Sequence, residues 1–61
     1  MRQTFELYLE YSPSDRRFVP LTCRPSDLLA RADEVLRESK ALAVEVRLAG
    51  RRLFTVGGEA D

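Results

Sequence analysis

No histidine occurs in the 61 residues, and only one cysteine and one lysine do. The commonest general base and metal ligand is therefore missing. Cys23 has no partner for an internal disulfide, and no CxxC or other cluster at metal-ligand spacing accompanies it. It reads as a small apolar thiol of the core. No nucleophile stands beside a base, and no close carboxylate pair is set apart from solvent. The chain is thus expected not to be an enzyme and to hold neither cofactor nor metal. Net charge is absent too: ten basic and ten acidic residues cancel, so no overall field draws the chain to nucleic acid or to an anionic membrane. No apolar run approaches the roughly 18 residues of a membrane span, and "MRQTFELYLE" is too acidic and interrupted for a signal peptide. A cytoplasmic location is the expectation.

What remains is a short globular chain, 44% hydrophobic and 33% charged. A domain this small buries only about 60% of its unfolded surface, so its stability is small. "TFELYLEY" alternates, with Phe5, Leu7, Leu9 and Tyr11 on one face and Thr4, Glu6, Tyr8 and Glu10 on the other, the period of a half-buried strand. "SPSD" at 12–15 is a turn. "RRFVPLTC" is a second strand with Val19, Leu21 and Cys23 inward, and Pro20, which cannot donate to a ladder, places it at a sheet edge or forces a break there. "RPSDLLARADEVLRES" changes period: Leu28, Leu29, Ala32, Val35 and Leu36 form the stripe of an amphipathic helix starting at Pro25. Asp27 with Arg31 and Asp33 with Arg37 are spaced for i,i+4 ion pairs. "LAVEVRLA" alternates again, with Leu42, Val44, Val46 and Leu48 inward; Ala49-Gly50 turns the chain, and "RRLFTV" returns.

The register of that last hairpin has two solutions. A two-residue turn sets Leu53 opposite Val46 and stacks Arg47 on Arg52, which is repulsive. A three-residue turn sets Phe54 opposite Val46 and Val56 opposite Val44, and is preferred on charge and buried area. The element order is ββαββ, an α+β chain with one helix covering one sheet face. Either the last strand lies beside the first in parallel, giving the order 2-1-4-3, or the third does, giving an antiparallel 2-1-3-4. Periodicity does not choose between them.

Two arginine pairs, Arg16-Arg17 and Arg51-Arg52, each follow a turn and open a strand. Paired charges at that point keep an exposed strand from pairing with other chains. A basic docking patch for another protein is the second reading. A phosphate-binding sheet with Tyr8 and Phe18 as stacking aromatics is the weakest, because Glu6, Glu10 and Glu45 share that face and repel phosphate.

Three stretches carry a resemblance. "PLTCRPSDLLARADEVL" looks like the second strand and helix start of ubiquitin, "VRLAGRRL" resembles its third strand, Ala-Gly turn and basic fourth segment, and Gly57-Gly58 stands near the C-terminus. Together they cover roughly half the chain, in the family's order. The chain is similar to a shortened, prokaryotic ubiquitin-like β-grasp protein, and the resemblance implies a mixed four-stranded sheet of order 2-1-4-3. It implies a grasp domain over 1–56 and a flexible tail over 57–61. It further implies a protein modifier: a peptidase removes Glu59-Ala60-Asp61, an adenylating enzyme activates the Gly58 carboxylate and captures it as a thioester, and the carboxylate passes to a target. Gly57, lacking a Cβ, provides clearance in the enzyme's channel. Arg51 and Arg52, with Arg47, are the residues expected to meet a partner enzyme. A non-conjugated interaction module, homodimeric through its open sheet face, is the alternative. The chain departs from the family in lacking a fifth strand, in carrying Arg47 where ubiquitin exposes an apolar residue, in its polar 12–15 loop, and in having Lys40 as its only lysine.

Overall fold

The computed structural model describes residues 1–58; Glu59, Ala60 and Asp61 lie outside the described residues. Strand β1 (Gln3–Ser12) and strand β2 (Asp15–Cys23) form a hairpin, a single 3-10 turn (Pro25–Asp27) leads into helix α1 (Leu28–Ser39), and β3 (Ala43–Leu48) and β4 (Arg51–Gly57) form a second hairpin. The sheet order is β2-β1-β3-β4 and every neighbouring pair is antiparallel. The order 2-1-4-3 implied by the ubiquitin resemblance is therefore wrong, and the open alternative holds. The physical reason lies in what each strand brings. β3 carries Val44 and Val46, both wholly buried, and suits an interior position. β4 carries Arg51, Arg52 and Thr55 exposed and suits an edge. The antiparallel register of β1 on β3 also sets Glu6 opposite Arg47 and Leu7 opposite Val46, pairing opposite charges on one face and apolar groups on the other.

The core forms where α1 crosses the inner face. Phe5, Leu7 and Leu9 from β1, Val44 and Val46 from β3, and Leu28 and Ala32 from the helix are buried, together with Cys23 as expected. Full burial of a side chain such as Leu7 stabilises by about 1.5–3 kcal/mol, so these few positions carry most of a small domain's stability. The helix packs over β3 and β4, away from edge strand β2, and Val19 is left 37% exposed. Two further expected core positions are outside it: Leu29 and Leu42 are 62% and 63% exposed. Leu42 precedes β3, where its carbonyl accepts from Gly58. The α-helix proper starts at Leu28, after the 3-10 turn that Pro25 opens. Asp33 pairs with Arg37 as spaced, whereas Arg31 pairs with Glu34 and not Asp27. Lys40 ends the helix in the left-handed region at φ 60°, a position glycine ordinarily takes.

The second hairpin combines features of both registers. Ala49 and Gly50 have φ of 53° and 81°, the two-residue turn whose twist matches that of paired strands. Leu48 faces Arg51 and Arg47 faces Arg52. The ladder then shifts, Leu53 being the extra residue, and Phe54 faces Val46 while Val56 faces Val44. The apolar pairing preferred from sequence is thus achieved by a bulge and not by a longer turn, and the repulsive Arg47–Arg52 pair is retained.

β4 also runs one residue beyond the expected domain end: Gly57 pairs with Ala43, and the Gly58 N–H donates to the Leu42 carbonyl at 2.8 Å. Gly57 has φ +76°, and a Cβ there would lie 2.7 Å from the Leu42 oxygen and 3.0 Å from Leu36 Cδ2. Conformation and packing both call for glycine at this site.

Candidate functional site

The face of the sheet opposite α1 is uncovered. Its centre is Tyr8, between Phe18 on β2 and Glu45 on β3. The Tyr8 and Phe18 ring centroids are 5.4 Å apart with planes tilted by 49°, within the range where tilted aromatic pairs attract. The guanidiniums of Arg16 and Arg47 stand 5.9 and 5.5 Å from the Tyr8 centroid, close enough for cation–π attraction.

Glu45 binds this group together. Its Oε1 accepts from Arg16 Nη2 at 2.6 Å and its Oε2 from Arg47 Nε at 2.8 Å, so it links the strands either side of β1 across Tyr8. The Glu45 side chain retains 13% of its exposure. Burial alone would push its carboxyl pKa up, but the hydrogen bonds and charges of Arg47 and Arg16 outweigh it and hold the pKa below the usual value. Further along the face, Thr4 and Thr22 share a hydroxyl hydrogen bond of 2.9 Å across β1 and β2. Glu6 accepts from the backbone N–H of both Ala49 and Gly50 at 3.1 Å, so β1 pins the turn of the second hairpin.

Arg47, Arg51 and Arg52, singled out as partner contacts, come together at the β3–β4 turn, with Arg52 opposite Arg47. Arg51 lines a shallow depression with Leu48, Ala49 and Leu53. Gly57 and Gly58 lie at the other end of β4, about 20 Å away at the usual strand rise. The residues expected to undergo conjugation and those expected to meet the enzyme are therefore at opposite ends of the second hairpin. Glu59, the third residue of the expected processing site, lies outside the described residues.

Reading the sequence missed the roles of Glu6 and Glu45. For Glu45 a signal existed: Glu45 and Arg47 are two apart on a strand and share a face. For Glu6 none did, since its bonds span more than forty positions. Among the described residues no group of three potential metal ligands occurs, and no helix is long and apolar enough to cross a membrane.

Comparison with protein-family models, with curated proteins and with solved structures yields no match. The class that can be stated is a small α+β chain with one helix packed on a four-stranded antiparallel sheet.

Proposed function

We propose that the chain is a small protein-binding module whose open sheet face receives a second copy of itself. The observation that carries this reading is the preassembled Tyr8, Phe18, Arg16, Arg47 and Glu45 group. Tyrosine, phenylalanine and arginine are the residues enriched in interface centres. Here their side chains are already held by one another, with Phe18 54% exposed, which lowers the ordering cost of association. Glu6, Glu10 and Glu45 balance Arg16, Arg47 and Arg52 on this face, so two copies related by a two-fold axis meet without net repulsion. Sedimentation across a concentration series tests the reading. A dimer with micromolar affinity that Phe18→Asp abolishes, with the circular dichroism unchanged, is expected. A chain that stays monomeric at millimolar concentration, or a dimer indifferent to Phe18→Asp, rules the reading out.

The modifier reading has one observation in its favour: Gly57 and Gly58 are both exposed at the end of an edge strand, open to a peptidase and an adenylating enzyme. Against it, the packing around Gly57 gives that glycine a structural reason to be there. Intact mass from the native cell decides, because processing after Gly58 removes Glu59-Ala60-Asp61, and the full mass counts against it.

A further inference from the structure

The β3–β4 turn holds an unbalanced group of charges. Among the described residues, Arg51 and Arg52 make no ion pair. The carboxylates of that region are occupied: Glu6 by the N–H groups of Ala49 and Gly50, Glu45 by Arg16 and Arg47. Arg52 moreover faces Arg47 directly, an arrangement that destabilises a ladder. At the same place the bulge leaves Leu53 43% exposed, beside the depression lined by Leu48, Ala49 and Arg51. Bulges that re-aim a side chain are frequent next to sites, and Arg52, unlike Arg47 with its Glu45 partner, is left for an outside carboxylate.

We infer that this hairpin end is a docking site for an acidic peptide segment of a partner protein, with an apolar side chain flanked by carboxylates. The apolar side chain enters the depression against Leu48 and Leu53. One carboxylate takes the planar fork of Arg51, and another, across the edge of β4, meets Arg52. Nucleic acid is the poorer occupant. The chain has no net charge, the Glu6 carboxylate sits at the turn itself, and the floor is aliphatic, which gives a base nothing to stack on. Its depression, lined by Leu48, Ala49, Arg51 and Leu53, lies apart from Tyr8 and Phe18, while Arg52 also borders the open sheet face; binding in the depression does not depend on self-association.

The test is a titration of the nitrogen-15-labelled full chain, followed by amide shifts, with the blocked peptide Asp-Glu-Leu-Asp-Glu. Controls are the same peptide with serine for leucine and a single-stranded oligonucleotide of equal charge. Saturable shifts centred on residues 47–53 are expected, with affinity lowered roughly tenfold by serine in the peptide, as loss of one buried leucine predicts. Arg51→Ser and Leu53→Ser, both at exposed positions, should each weaken binding by a similar factor while the spectrum reports an intact fold. Sedimentation of Arg51→Ser should match the parent chain, which keeps this result distinct from the sheet-face reading. No saturable shift, shifts centred on Tyr8 and Phe18, equal affinity for the serine peptide, or oligonucleotide binding as tight as the peptide's would each overturn the inference.

Discussion

The two arginine pairs have the same local context, each following a turn and opening a strand, yet they end in opposite states. In the first hairpin both side chains are engaged. Arg16 reaches Glu45 and the Tyr8 ring, and Arg17 pairs with Asp15 at 3.5 Å and lies 4.8 Å from the Tyr11 centroid. Tyr11 in turn donates its hydroxyl to the Ser39 carbonyl at 3.2 Å, tying the first hairpin to the helix end. In the second hairpin Arg51 and Arg52 make no ion pair among the described residues, and the chain is secured instead at its two ends, by Glu6 at the turn and by Gly57 and Gly58 against Leu42. A dipeptide does not determine its role; the carboxylates and aromatic rings that the topology brings to it do. Two strongly held ends with a loosely committed arginine pair between the turn and the bulge make the second hairpin the place where contacts are left over.

That contrast is most easily broken at the held ends. Gly57→Ala should have the largest effect. It puts a Cβ within 2.7 Å of the Leu42 oxygen at a φ of +76°, and the combined backbone and overpacking cost is about 2–4 kcal/mol. A urea melt should then show most of the stability of so small a domain gone. Gly58→Ala meets only the Ala43 Cβ, at 3.2 Å and φ +64°, and should cost about 1 kcal/mol. Equal melts for the two variants would mean that the Gly57 packing is not what fastens the strand. Glu6→Ala comes next. It removes the acceptor of two turn N–H groups that water can partly replace, for a loss of about 1 kcal/mol and faster hydrogen exchange at Ala49 and Gly50.

Much of this arrangement is written in patterns a reader can count, and the rest is not. The alternation of Phe5, Leu7 and Leu9 and the proline at position 20 locate a buried strand and an edge strand, and both are where they were expected. Periodicity assigns a face but not a neighbour, so strand order was open, and the ubiquitin resemblance drew it toward the wrong choice. The discriminating information was in charge: with β3 beside β1, Glu45 reaches Arg16 across β1 and Glu6 reaches the N–H groups of the β3–β4 turn. Leu29 and Leu42 fit their periods but lie where no element covers them. The bulge at Leu53 follows from a competition between a two-residue turn and the pairing of Phe54 with Val46, which no local pattern displays. Of the candidate site, the aromatic face was legible from alternation, whereas its bracing by Glu45 required the third strand to be in place.

The engaged pair can be tested against acid. Arg16→Gln should cost about 0.5–1 kcal/mol, as expected for a partly exposed ion pair, because it leaves Glu45 with a single guanidinium. Since the Glu45 pKa is lowered in the folded chain, its contribution is full above the unfolded-state value and is lost as pH falls through the folded one. The urea midpoint of the parent chain should therefore decline on acidification, and that of Arg16→Gln should decline less. Parallel pH profiles would mean that Arg16 adds nothing to the ionised state of Glu45.

The idle pair should give the smallest effect and the opposite sign. Arg52→Thr removes the like charge facing Arg47 and puts a β-branched residue into a strand, two changes that each favour the folded state by a few tenths of a kcal/mol. Nothing is lost in exchange, since no ion pair of Arg52 exists among the described residues. The variant should melt at slightly higher urea than the parent while Arg16→Gln melts lower, and it should bind the acidic peptide more weakly. A side chain whose removal stabilises the free chain and weakens a complex is retained for the complex. If Arg52→Thr instead destabilises as much as Arg16→Gln does, the second pair is as structural as the first, and the distinction between the hairpins fails.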